Sequence, residues 1–224
     1  MNKISKVCQF AVTLILLCNI GITTAQNRGD NLEPVRGIFN IYDYQFEYYS
    51  RVRKVLFSGL LDRPEIRFQV MPSFTPENVL DIEFDRDNNK YYIIYHICEQ
   101  TIWYNEKWEK VKVSKFKTEI DKESVKLIKS LFSKAIAQVR FPPTVEEGEM
   151  ITVGTDGTTY YFTVNEYGYG IKSGYVWSPR NGTKMNKLVA VGNKLIELAK
   201  SNKEIVKFDD KLQKEIEELI DELK

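Results

Sequence analysis

His96 and Cys98 stand two residues apart in the run Tyr91-Tyr92-Ile93-Ile94-Tyr95-His96-Ile97-Cys98, and on a strand that spacing puts both side chains on one face. A thiol and an imidazole so placed could act as nucleophile and base. Same-face neighbours on one strand point in parallel rather than converge, and free cysteine is among the most buried residue types. The pair is therefore expected to be structural. The chain has a single histidine, and Cys98 is the one cysteine beyond residue 25. A zinc site would thus have to rest mainly on carboxylates, which is unusual for that ion. No metal and no cofactor are expected.

Carboxylates offer a second chemistry. Asp81, Glu83, Asp85 and Asp87 alternate, so one side of a strand and its turn could carry all four, as oxygen ligands or as an acid/base pair. The pattern lacks the glycine and the distal glutamate of a calcium loop. Set opposite Leu80, Ile82 and Phe84, the acidic row reads as a solvated strand face. Glu146, Glu147 and Glu149 beside Gly148 read as an exposed loop. A small carboxylate-dependent envelope hydrolase is the enzyme reading these rows leave open. No phosphate loop, dinucleotide fingerprint, serine elbow or metalloprotease helix motif is present, and the expectation is a protein that is not an enzyme.

The aromatic residues are the stronger surface candidates. Trp103, Tyr104 and Trp108 surround the polar turn Asn105-Glu106-Lys107, while Tyr167, Tyr169, Tyr175 and Trp177 lie in a glycine-spaced stretch. Amphipathic rings are preferred anchors of recognition surfaces. Trp103, Tyr104, Trp108, Tyr169, Tyr175 and Trp177 are the candidate binding residues. Rings among lysine, arginine and glutamate suit a protein partner, whereas flat exposed rings such as Trp103, Trp108, Tyr175 and Trp177 could stack on sugars. The more ordinary use of any one ring is to line a sheet–helix core.

Hydrophobic periodicity supplies the elements that must position these residues. Ile41, Tyr44, Tyr48, Val52, Val55 and Leu56 recur at helical spacing across 41–60, with Gly59 as a stop. Ile66, Phe68 and Val70, then Leu80, Ile82 and Phe84, alternate with polar residues as half-buried strands do. The turn-rich segment 85–90 makes a hairpin with a strand at 91–100, and a further edge or solvent-facing strand is expected at 110–118. Asp121 caps a helix running to about Arg140, where Pro142-Pro143 ends it. A second hairpin is expected over 150–164, with Asp156-Gly157 as its turn between Ile151/Val153 and Tyr160/Phe162. Thr183 starts a helix with the stripe Leu188, Val189, Gly192, Leu195, Ile196 and Ala199. A charged tail then keeps Ile205, Leu212, Ile216, Leu219 and Leu223 at helical spacing, to pack on the domain or on a partner.

Strands clustered between helices indicate an α+β fold in which antiparallel hairpins pack against amphipathic helices, with a C-terminal charged helical tail. The expected division is a signal peptide at 1–25, a flexible leader at 26–40, a single α+β domain at 41–202 and the helical tail at 203–224. The address rests on Lys3 and Lys6, an uncharged stretch from Val7 to Ile22, and the small residues Thr23, Thr24 and Ala25. The apolar core is short and interrupted for a membrane anchor, so cleavage near Ala25 and a periplasmic or secreted product without a stable transmembrane anchor are expected. Cleavage removes Cys8 and Cys18, and no intramolecular disulfide can then form.

Of 224 residues 43% are hydrophobic and 12% aromatic, enough to offset the entropy of ordering. The 32 basic and 31 acidic side chains nearly cancel, so no phosphate-attracting field exists and nucleic acid is not expected as a partner. The sequence thus points to an exported, non-enzymatic recognition protein that binds another macromolecule, in the first place a protein. An immunity or inhibitor protein that covers a toxin or hydrolase is one version, in which Asp81, Glu83, Glu146, Glu147 and Glu149 meet a basic target. A glycan-binding module is the alternative. No pattern in these residues identifies a family.

Overall fold

The computed structural model describes residues 30–37, 41–142, 156–201 and 203–223. The expected signal peptide, the first arm of the hairpin expected at 150–164, and Glu146, Glu147 and Glu149 lie outside the described residues.

The fold is α+β. In chain order the elements are β1 (Glu33–Pro34), α1 (Asp43–Leu56), β2 (Ile66–Pro72), β3 (Asn78–Asp85), β4 (Lys90–Cys98), a 3-10 turn (Trp108–Lys110), β5 (Val113–Ile120), α2 (Lys122–Ala137), β6 (Thr158–Glu166), β7 (Gly170–Trp177), α3 (Lys184–Lys200), β8 (Ile205–Val206) and α4 (Asp210–Glu222). The strands form one sheet in the order β1-β7-β6-β2-β3-β4-β5-β8. Every neighbouring pair is antiparallel except β5 and β8.

Period-two alternation divides the sheet into two faces. Ile66, Phe68, Leu80, Ile82, Ile93, Phe162, Val164 and Val176 point to one face and share a core with α2, α3 and α4. The opposite face carries a smaller core, in which Val52 and Leu56 of α1 pack on Met71, Val79, Cys98, Ile102 and Val111. The charged tail belongs to the larger core: Leu212, Ile216, Leu219 and Leu223 are buried there, while Ile205 is exposed.

Local chemistry sets the ends of these elements. Asp121 accepts the N–H groups of Glu123 and Ser124 to start α2, and Thr183 and Asp209 cap α3 and α4 in the same way. In the β3–β4 turn Asp85 accepts from the backbone of Asp87 and Asn88, and Asn89 adopts φ 53°.

Two expectations change. Asp156-Gly157 is not the turn of the second hairpin; it leads into β6, whose two edges are taken by β2 and β7, and the reversal between β6 and β7 falls at 167–169. Gly168 and Gly170, at φ 79° and 78°, supply the left-handed positions there. Gly157 instead packs under the Trp177 ring and exchanges hydrogen bonds with Ser73. The described part of the expected leader is also structural, because β1 pairs with β7 and Leu32 is fully buried. The reason is Gly174: a Cβ there would come within 2.9 Å of the Leu32 Cβ, so its bare backbone makes the seat for Leu32.

A candidate recognition surface

The loops at one end of the sheet, β2–β3 and β4–β5, meet the start of α1. Their meeting point is Glu77, an acidic residue with no exposed surface. Its carboxylate accepts the Ile102 N–H at 2.9 Å, the Trp103 N–H at 3.3 Å, the Thr101 hydroxyl at 3.3 Å and the Tyr48 hydroxyl at 2.8 Å. A buried carboxylate surrounded by donors fixes the backbone of the β4–β5 loop and ties it to α1. Burial, and secondly the Glu77 charge, hold the Tyr48 phenol far above its ordinary value, so it stays a donor.

On this frame stands a group of exposed rings. Trp103 meets Tyr48 edge-on at 4.7 Å and Tyr44 at 6.2 Å, Tyr44 stacks on Tyr42, and Phe74 stacks on Tyr104 at 6.2 Å. Phe74 is 63% exposed and Tyr104 59%. Beside them Gln100, Thr101, Tyr104, Asn105, Glu106 and Lys107 line a shallow groove with a polar rim. Asn105 shapes it by bonding Gln100 through its amide and the Lys107 N–H through its carbonyl.

The six sequence-derived candidates therefore do not form one cluster. Trp103 and Tyr104 belong to the exposed ring group, and Trp177, 42% exposed, lies at the same end of the sheet over Gly157. Trp108 sits further along α1 beneath Arg51 and Lys54, 5.7 and 5.2 Å from its ring centre. Tyr175 is partly buried against Tyr161, and its hydroxyl donates to Glu33. Burial, then Glu33, pushes that phenol up to about 12. Tyr169 projects from the β6–β7 turn at the opposite end, with the Lys172 ammonium over its ring.

Residues that sequence reasoning missed complete the surface: Tyr42, Phe74 and the buried Glu77. Tyr44 falls on the apolar stripe of α1 by its spacing, yet it is 56% exposed in the first turn of a helix that begins at Asp43 and is buried only at Val52 and Leu56. Phe74 and Glu77 sit in a short loop with no periodicity to reveal them.

Of the residues whose types suggest catalysis, His96, Cys98 and Asp81 are buried. His96 is buried with Nδ1 2.8 Å from the Leu56 carbonyl oxygen, and burial lowers its pKa. Burial, and then Glu77, pushes the Cys98 thiol up to about 12, far from a reactive thiolate. The acidic row is not a solvated face at Asp81, which is fully buried and bound bidentately by Arg67 at 2.7 and 2.6 Å. Arg67 also donates to the Leu61 carbonyl and lies 4.4 Å from the Phe57 ring centre. Desolvation outweighs the guanidinium and raises Asp81 to about 6. Glu83 accepts the Leu61 N–H, and Asp85 closes its own turn. Asp81 and Glu83 thus hold the segment after α1, and Asp81 is closed to a basic target. Among the described residues no group of three or more His, Cys, Asp or Glu side chains could hold a metal ion, and no helix is long and apolar enough to cross a membrane.

Comparison with protein-family models, with curated proteins and with solved structures gives no match for this chain.

Proposed function

We propose that this chain is an exported, non-enzymatic recognition protein that binds another protein through the ring group formed by Tyr42, Tyr44, Phe74, Trp103 and Tyr104. One observation carries the reading: large apolar rings stand in solvent on a backbone that a buried carboxylate holds in place. Exposed aromatics on a pre-ordered loop lose little entropy on docking and offer the anchors that dominate protein interfaces. The mixed Glu106 and Lys107 rim suits a polar surround better than a strongly charged one.

Site-specific photo-crosslinking in cells tests it, with benzoylphenylalanine in place of Phe74 or Tyr104 and, as a control, in place of Ile171 at the far end of the sheet. One protein adduct at both loop positions and none at Ile171 is the expected result. No adduct at either position, with the purified chain retained on envelope polysaccharide instead, would transfer the surface to the glycan reading.

A further inference from the structure

The outer edge of β5 is open over most of its length. β8 covers only Glu119 and Ile120. The phase of the β4–β5 ladder follows from the Glu99 N–H bond to the Lys112 carbonyl, which makes that opposed pair a hydrogen-bonded one. Pairs alternate in an antiparallel ladder, so Ser114, Phe116 and Thr118 turn their backbone groups toward β4. Val113, Lys115 and Lys117 turn theirs away, and among the described residues no strand receives them.

Beside this edge, on the face that carries α1, runs a groove of about 360 Å³ whose lining includes Val55, Trp108, Val113 and Lys115, with Lys54 paired to Glu109 at 3.5 Å. A helix lying next to an unpaired strand edge is the arrangement that receives an added peptide strand: main-chain bonds give affinity, and the groove selects alternate side chains. Lysines line the strand. The Lys115 ammonium donates to the Ser58 carbonyl at 2.7 Å and Lys117 lies 4.2 Å from the Tyr92 ring centre. Neither forms an ion pair with a carboxylate among the described residues. A second copy of this strand would set lysine against lysine, which is unfavourable across a ladder.

We propose that β5 accepts an extended acidic segment of another protein as an added strand, in line with β8. Its main chain bonds Val113, Lys115 and Lys117, and its carboxylates face Lys115 and Lys117. This site is separate from the ring group and does not rest on it.

The probe is a fluorescein-labelled hexapeptide of alternating glutamate and valine, followed by anisotropy and by amide hydrogen exchange of the full chain. Saturable binding is expected, with slowed exchange at Val113, Lys115 and Lys117. K115E/K117E should weaken it at least about tenfold. Lys115→Pro should do the same while leaving the far-UV spectrum unchanged, because the N–H it removes points away from β4. The same peptide N-methylated on alternate amides should not bind, which tests backbone pairing without altering the protein. The Tyr44→Ala/Tyr104→Ala double variant should bind the peptide as wild type does. Absence of saturable binding, equal binding of a lysine–valine counterpart or of the N-methylated peptide, or binding without protection of the three amides would each overturn the proposal.

Discussion

The two carboxylate oxygens of Glu77 lie 3.1 and 2.9 Å from the backbone nitrogen of Ile102, across 25 residues of sequence. That contact joins the β2–β3 loop to the β4–β5 loop, and the Tyr48 hydroxyl on the same carboxylate adds α1. One buried side chain therefore organises three separate segments beneath the exposed rings.

Glu77→Ala should leave these donors unpaired in a buried site, at a cost of about 2–4 kcal/mol. Urea unfolding measures the loss. Trp103 emission in the folded variant should also change, because its backbone and its contact with Tyr48 are released together. A stability within about 0.5 kcal/mol of wild type would show that the carboxylate does not organise the loops.

Gly192 stands inside α3, where replacing glycine by alanine ordinarily gains about 1 kcal/mol of helix propensity. Here a Cβ would come within 2.5 Å of the Phe68 ring, which is fully buried and packed against Phe162 and Tyr160. Gly192→Ala should therefore destabilise the protein by about 1–3 kcal/mol, as overpacking does. A thermal midpoint higher than wild type would refute this.

Much of this architecture is legible in the sequence because burial on one face leaves a periodic record. The stripe from Val125 to Ile136 and the alternation in Ile66, Phe68 and Val70 mark the faces of α2 and β2 that join the larger core, but β2 is not half-buried, because Arg67 and Met71 on its other face are buried too. Asp121 and Thr183 marked helix starts because capping is local chemistry. What escaped depends on distant partners. Leu32 is one apolar residue in a polar stretch, and only Gly174, far along the chain, explains its burial. Glu77 resembles any loop acid until Ile102 and Trp103 are placed around it, and Asp81 resembles an exposed strand residue until Arg67 is seen across the ladder. Exposed rings and core rings share a composition, so Trp103 and Tyr175 could not be told apart by type alone.

The helical spacing of the charged tail leaves open whether its apolar stripe covers the domain or a partner, and the structure turns it onto α2 and α3. Ile216 is fully buried in the main core. Ile216→Ala should cost about 2–4 kcal/mol, and a chain ending at residue 202 should lose its cooperative unfolding transition in calorimetry. A truncated chain with a wild-type melting profile would show that α4 is dispensable.

His96 gives the fold a defined response to acid. Its folded pKa lies below the ordinary value of 6.5 because burial disfavours the imidazolium. The unfolded chain therefore takes up the proton first as pH falls. The stability contributed by neutral His96 is fully present above about 6.5 and is lost between there and the lower folded value. Asp81 titrates in an overlapping range with the opposite sign, since burial raises its carboxyl to about 6. The His96 part is accordingly read as the wild-type stability minus that of His96→Gln. That difference, from urea titrations at pH 7.5 and pH 5, should shrink on acidification. A constant difference would mean that the fold does not shift the imidazole, and a growing one that the fold binds the proton more tightly than the unfolded chain does.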